Sequence, residues 1–282
     1  MRHYLSLIKF SHTVFALPFA MIGFFLGLEH AGGQFSWQQF LLILACMVFA
    51  RSAAMAFNRY IDSDIDALNE RTNKREIPAG VISKSRALLF VIGNSLAFIV
   101  AAGLLNTLCL WLSPVALLVI LGYSLTKRFT WLCHFVLGLG LSLAPVGAYL
   151  AVTASFNWLP VMLGIAVLTW VSGFDIIYAL QDEDFDREQQ LYSIPSAIGR
   201  RNAIGVSIAI HVITAAMIIW VGTSGLWGNW YWIGAGFFTA MLFYQHWLVR
   251  PNDLSKVNMA FFTTNGVASI IFGIFVIFDI LL

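Results

Sequence analysis

Apolar residues run in blocks of span length along the whole chain, separated by short polar segments. A bilayer's hydrocarbon core takes about 20 apolar residues per helix, so each block predicts a membrane-spanning helix. Nine spans are predicted, at 11–28, 38–57, 87–105, 108–126, 131–153, 158–180, 204–223, 230–248 and 259–282. The first is read as a helix rather than a cleaved leader. Its apolar stretch is long for a leader, and the "GLEHAGG" that follows is a poor cleavage site. Two longer polar segments, 58–86 and 181–203, follow the second and sixth spans.

Composition agrees with this pattern. Of 282 residues, 60% are hydrophobic and 11% charged, where a soluble domain carries about a quarter charged residues. The chain reads as a single domain, 1–282, without linker or low-complexity tract. A net charge of +2, with basic residues beside acids rather than in a stripe, gives no nucleic-acid footprint. Cys46, Cys109 and Cys133 sit in apolar runs without C-x-x-C spacing and read as small core residues.

Lysine and arginine set the orientation. All 16 lie at alternate helix ends. Arg2 and Lys9 precede span one, Arg51 lies near the end of span two, and Arg59, Arg71, Lys74, Arg75, Lys84 and Arg86 follow it. Lys127 and Arg128 follow span four; Arg187, Arg200 and Arg201 follow span six; Arg250 and Lys256 follow span eight. The loops around 29–37, 106–107, 154–157 and 224–229 have none. The positive-inside rule then predicts a cytoplasmic N-terminus, four cytoplasmic charged loops and a C-terminus outside.

Ten of the 14 acids fall in the two polar segments, a four-helix offset that suggests a weak internal duplication. At about 100° per residue, Asn58, Asp62 and Asp66 share one face if helix two continues past the membrane surface. Asp175, Asp182 and Asp186 form a narrower stripe, with Tyr178 about 60° away. Asp64, Glu183 and Asp184 point elsewhere. Clustered carboxylates repel unless positive charge sits among them. Oxygen ligands with no His or Cys nearby suit a hard ion such as Mg²⁺, which shares one or two carboxylates with a substrate phosphate. Arg71, Lys74 and Arg75, with Lys127 and Arg128, supply hands for phosphate oxygens. The predicted site is a diphosphate held between two carboxylate-bound metal ions at the cytoplasmic face. The bland alternative is a set of solvated loop acids. Asp175 weighs against it, because an acid well inside an apolar run is a functional candidate by default.

The first block, "NRYIDSDIDALNERTNKREIPAG", and the second, "FDIIYALQDEDFDREQQLYSIPSAIG", resemble the paired motifs of the UbiA superfamily of intramembrane prenyltransferases. "YSLTKRFTWLCHFVLG" resembles that family's block with the Lys-Arg pair. "AMAFNR", "REIPAG" and "LYSIP" are similar to the 4-hydroxybenzoate polyprenyltransferase-like branch, which includes enzymes of the futalosine menaquinone route. The last two depart from the commoner R-P-L-P/A-S-G and K-S-T/L forms, which bears on the loop contacts and leaves the Asp ladder unchanged. The resemblance implies an all-α membrane protein, nine helices in a bundle around a central cavity open to lipid. It implies transfer of a prenyl group from an isoprenyl diphosphate to an aromatic acid in quinone biosynthesis, in the inner (cytoplasmic) membrane. Carried over by position, Asp62, Asp66, Asp182 and Asp186 hold Mg²⁺, and with Arg128 they are the expected catalytic set. Asn58, Lys127, Arg71, Arg75, Tyr178 and Asp175 are the expected substrate-binding residues.

Ionisation of the allylic C–O bond gives a cation that must meet an electron-rich ring before water does. Phe15, Phe19, Phe57, Tyr123, Phe174 and Tyr178 are candidate aromatic faces for it, although most of the 24 Phe are helix packing. The base that takes the ring proton is not identified by the sequence. His12, His134, His211 and His246 lack ligand spacing and read as buried or interfacial hydrogen-bonding groups. Gly23, Gly27, Gly138 and Gly140 read as close helix approaches, Asn265 as a helix–helix hydrogen bond, and Trp158 with the Trp residues near 220–232 as an interfacial belt. The rival readings are a haem or other quinone-precursor acceptor, an ion-coupled transporter and a non-catalytic assembly protein.

Overall fold

A computed structural model describes residues 15–225 and 227–282. Arg2, Lys9, His12 and the start of the first predicted span lie outside the described residues. The described residues contain eleven α-helices, in order α1 (Leu17–Ala31), α2 (Trp37–Ile61), α3 (Ser63–Leu68), α4 (Lys84–Leu105), α5 (Thr107–Thr126), α6 (Cys133–Thr153), α7 (Trp158–Ala179), α8 (Glu183–Glu188), α9 (Ile194–Ser224), α10 (Asn229–Leu248) and α11 (Asn265–Leu281). A 3₁₀ turn at Leu180–Asp182 joins α7 to α8, and a π-helical turn at Met259–Thr264 runs into α11. The described residues contain no β-strand.

Among the described residues, seven helical stretches are long and apolar enough to cross a membrane: Trp37–Ile61, Lys84–Leu105, Thr107–Thr126, Cys133–Thr153, Trp158–Glu188, Ile194–Ser224 and Met259–Leu281. The two other predicted spans are not among these. α1 has 15 described residues. α10 carries Asn229, Gln245, His246 and several Trp and Tyr side chains, which lower its hydropathy. The predicted loop 181–203 is also partly helical. α9 begins at Ile194, ahead of the predicted span, because Ser193 and Ser196 form a reciprocal capping box and Pro195 sits in the first turn, where a missing N–H costs nothing. Gly199, at φ 79°, breaks the helix just beyond.

The described residues form two compact units, 36–125 in one and 15–35 with 126–225 and 227–282 in the other. In the first, α2 packs on α4, and Ala56, Ile77, Ile82, Ala87 and Val91 form its core. Leu89, Leu96, Val100, Trp111 and Leu118 are exposed, as lipid-facing side chains are.

In the second unit, α7 is the central helix, packed on α6 and α9. Trp170, Phe19, Phe238 and Phe272 form an aromatic core around it. At Gly23 a β-carbon would collide with the Pro145 carbonyl, and at Gly138 with the Leu168 carbonyl and, at 2.6 Å, Ser172 Oγ. Both glycines therefore allow the expected close approach. Asn265 makes the expected interhelical bond, accepting from Trp170 Nε1 at 2.9 Å. Its amide also donates to the Ala260 and Phe261 carbonyls at 3.1 and 3.0 Å, satisfying groups of the π-helical turn.

Candidate active site

Helix α2 stops at Ile61, and Asp62 (φ −87°, ψ 5°) is shared as cap between α2 and α3. The single continuous helix assumed for the first ladder is thus interrupted. The i,i+4 backbone bonds nevertheless persist, from Asp62 N–H to Asn58 O at 2.9 Å and from Asp66 N–H to Asp62 O at 2.7 Å. Asn58 Nδ2 donates to Asp62 Oδ2 at 2.9 Å, which fixes that carboxylate.

Asp66 is buried. Arg75 Nη1 donates to both its oxygens, at 2.6 and 2.8 Å, and Arg59 Nη1 lies 4.0 Å away. Arg59 is itself buried, and its Nε and Nη1 have no hydrogen-bond partner among the described residues. The positive charge that clustered carboxylates require is therefore built into the loop. Arg75, expected to face a phosphate, faces Asp66 here. Arg71 and Lys74 are exposed. Asp64 is exposed and paired with Lys84 at 2.7 Å, away from the ladder as expected.

In the second unit the helix is broken again, by the 3₁₀ turn at Leu180–Asp182. Asp186 has no exposed side-chain surface. Lys127 Nζ stands 2.7 Å from its Oδ1 as an ion pair. Lys127 thereby offsets a charge that burial alone would make costly. The Lys127 carbonyl accepts from Tyr192 N–H at 2.8 Å, which ties the Lys-Arg block to the segment after α8. Arg128 is exposed and Asp182 half-buried. Glu183 and Asp184 lie off the stripe in a separate cluster. Arg187 and Arg200 each bind Glu183 at 2.8 Å, and Arg200 also binds Asp184 at 2.8 Å.

Deeper along α7, Asp175 Oδ2 is 2.7 Å from His134 Nδ1. Tyr178 packs its ring 4.2 Å from that of Phe261, beside Phe262 at 6.2 Å. Of the other aromatic candidates in this unit, Phe15, Phe19 and Phe174 are buried in the core. His134, Phe261 and Phe262 were not singled out for chemistry from the sequence. Their contacts arise only when helices pack, and no spacing along the chain encodes them. His211 and His246 likewise meet, Nδ1 to Nε2, at 2.7 Å.

Among the described residues no three His, Cys, Asp or Glu side chains assemble into a ready metal cage. Asp186 nevertheless suits a cation: its carboxylate is fully buried and already draws the Lys127 ammonium to 2.7 Å. Oxygen is the only donor type the two aspartate ladders offer, which suits Mg²⁺.

Residues 16–267 match the sequence profile described as the UbiA prenyltransferase family. The 4-hydroxybenzoate octaprenyltransferase of Aliivibrio fischeri strain ES114 is 30% identical over 249 residues, covering 86% of this chain and 85% of the relative. That of Edwardsiella ictaluri is 30% identical over 245 residues, covering 86% and 84%. The apo structure of a UbiA homologue from Aeropyrum pernix K1 superposes with a TM-score of 0.85 at 33% identity, covering 95% of this chain and 98% of that one. A UbiA homologue from Archaeoglobus fulgidus, bound to DMAPP and Mg²⁺, has a TM-score of 0.79 at 19% identity, covering 99% of each chain. At that identity the likeness is one of fold.

Proposed function

The chain belongs to the UbiA prenyltransferase family, and from that premise we propose that it prenylates an aromatic acid for quinone biosynthesis. The donor is an isoprenyl diphosphate and the acceptor 4-hydroxybenzoate or a dihydroxynaphthoate. The names of its relatives support the acceptor class, and the Archaeoglobus fulgidus homologue bound to DMAPP and Mg²⁺ supports the donor and the metal.

The observation that carries the reading is Asp186, a fully buried carboxylate paired with Lys127, in a motif whose partner has the same D-x-x-x-D spacing. Asp62, Asp66, Asp182 and Asp186 are the proposed Mg²⁺ ligands. Bound there, Mg²⁺ supplies the positive charge that lets the diphosphate depart.

The chain's own groups do the remaining work. Lys127, Arg128, Arg71 and Arg75 bind phosphate oxygens, with Arg75 turning from Asp66 when the substrate arrives. Asn58 holds the Asp62 carboxylate in register. Apolar helices keep water from the allylic cation until the ring carbon attacks, and the Tyr178 ring offers a π-face to it. The reading includes nine spanning helices, α1 and α10 among them, a cytoplasmic N-terminus and site, and an inner-membrane location. The test is to incubate purified protein with Mg²⁺, geranyl diphosphate and each acceptor in turn. A product heavier than the acceptor by one geranyl group is expected. Absence of such a product with both acceptors overturns the assignment.

A further inference from the structure

We propose that Asp175 is the base that takes the ring proton during transfer, with His134 as its positioning residue. This deepens the prenyl-transfer reading and rests on it.

Asp175 precedes Asp182 by seven residues and lies in the last turns of α7, before the 3₁₀ turn that carries Asp182. Its hydrogen bond among the described residues is to His134, through Oδ2. Oδ1 has none, and the side chain keeps 22% exposure. The His134 ring is buried, at 3%. The Ile194 backbone N–H donates to His134 Nε2 at 3.2 Å, so that nitrogen carries a lone pair. The proton then sits on Nδ1, and the neutral ring donates it to Asp175. The Ile194 N–H belongs to the first turn of α9, where helix donors lack intrahelical partners. Ser172 Oγ, which donates to the Leu168 carbonyl at 2.7 Å, lies 3.2 Å from the His134 carbonyl.

A purely structural carboxylate has a different pattern. Glu183 has one oxygen on Arg187 and the other on Arg200. Asp175 instead has one oxygen pinned by a neutral donor and the other open, inside an apolar helix. That is the arrangement a base needs: fixed orientation, retained charge and a free lone pair.

As the allylic C–O bond breaks, its electron pair leaves with the diphosphate. A ring π pair forms the new C–C bond. Asp175 Oδ1 then accepts the proton from that ring carbon, and the C–H pair restores aromaticity. The carboxylic acid so formed passes its proton to water.

The test compares wild type, Asp175→Asn, His134→Leu and His134→Asn with geranyl diphosphate, Mg²⁺ and 4-hydroxybenzoate, protiated or deuterated beside its hydroxyl. Asp175→Asn is expected to lose at least ~100-fold in kcat, the scale of general-base catalysis. Its acceptor-free hydrolysis of geranyl diphosphate is expected to fall far less than transfer, because ionisation of the C–O bond removes no ring proton. A primary deuterium effect, absent in wild type, is expected in both Asp175→Asn and His134→Leu. His134→Asn, whose amide mimics the Nδ1–H donor, should recover most of the activity. Transfer by Asp175→Asn within roughly threefold of wild type, or equal loss of transfer and acceptor-free hydrolysis, overturns the proposal. Should Asp175→Asn fail to fold, the absence of an isotope effect in His134→Leu overturns it equally. A wild type without transfer would remove the underlying reading; an active wild type with an unaffected Asp175→Asn would remove the base alone.

Discussion

Asp186 and Asp64 belong to similar acidic motifs yet stand in opposite environments. Asp186 is fully buried against Lys127, while Asp64 is 84% exposed and paired with Lys84. An exposed ion pair is worth about 0–1 kcal/mol, so Asp64→Asn is expected to leave melting temperature and turnover nearly unchanged. Asp186→Asn keeps the shape and removes the charge. Its transfer rate is expected to fall on the order of 10²-fold or more, as when an electrostatic group of an active site is lost. The apparent Mg²⁺ requirement is expected to rise in parallel, read from initial rates across a metal titration. At this scale the sequence singles out the aspartates as candidates, because D-x-x-x-D spacing is local. It could not announce the partners. Arg75 on Asp66, His134 on Asp175 and His246 on His211 depend on loop closure or helix packing, over separations of 9, 41 and 35 residues.

Helices were legible to the extent that bilayer thickness dictates them. The predicted 87–105, 108–126 and 158–180 correspond closely to α4, α5 and α7. The breaks at Asp62 and Leu180–Asp182 were invisible, since neither contains the Gly or Pro that punctuates a chain. The π-helical turn was equally hidden, because the Asn265 amide that satisfies its carbonyls is an ordinary polar residue in an apolar run. Two element-level outcomes follow. Asp279 accepts from Gly228 N–H at 2.7 Å and from Tyr231 N–H at 3.2 Å, and so caps α10 from the end of α11. Asp279→Ala is expected to cost about 1 kcal/mol, the usual worth of such a cap, read as a lower melting temperature in detergent. Gly23→Val drives a side chain into the Pro145 carbonyl at the α1–α6 contact. Its expected cost is about 3 kcal/mol, the upper range for overpacking, seen as loss of monodisperse protein.

For the whole molecule, the alternation of Lys and Arg between helix ends is a statement about topology. It adds support to α10 as a span, which its apolar run predicts. A reporter fused after Leu282 is expected to be active only outside the cytoplasm, and one fused in the 58–86 segment only inside it; the reverse would mean that a span has been miscounted. Family membership settles that the molecule is a prenyltransferase. The central claim is narrower: carboxylates from both motifs hold divalent ions that grip a diphosphate. Its most direct test is the transfer rate of wild type, Asp62→Ala and Asp182→Ala, each with Mg²⁺ and again in excess chelator. Transfer by wild type with Mg²⁺ alone, and by neither variant under either condition, is the expected result. Sustained transfer in chelator, or by either variant at the wild-type rate, would contradict it.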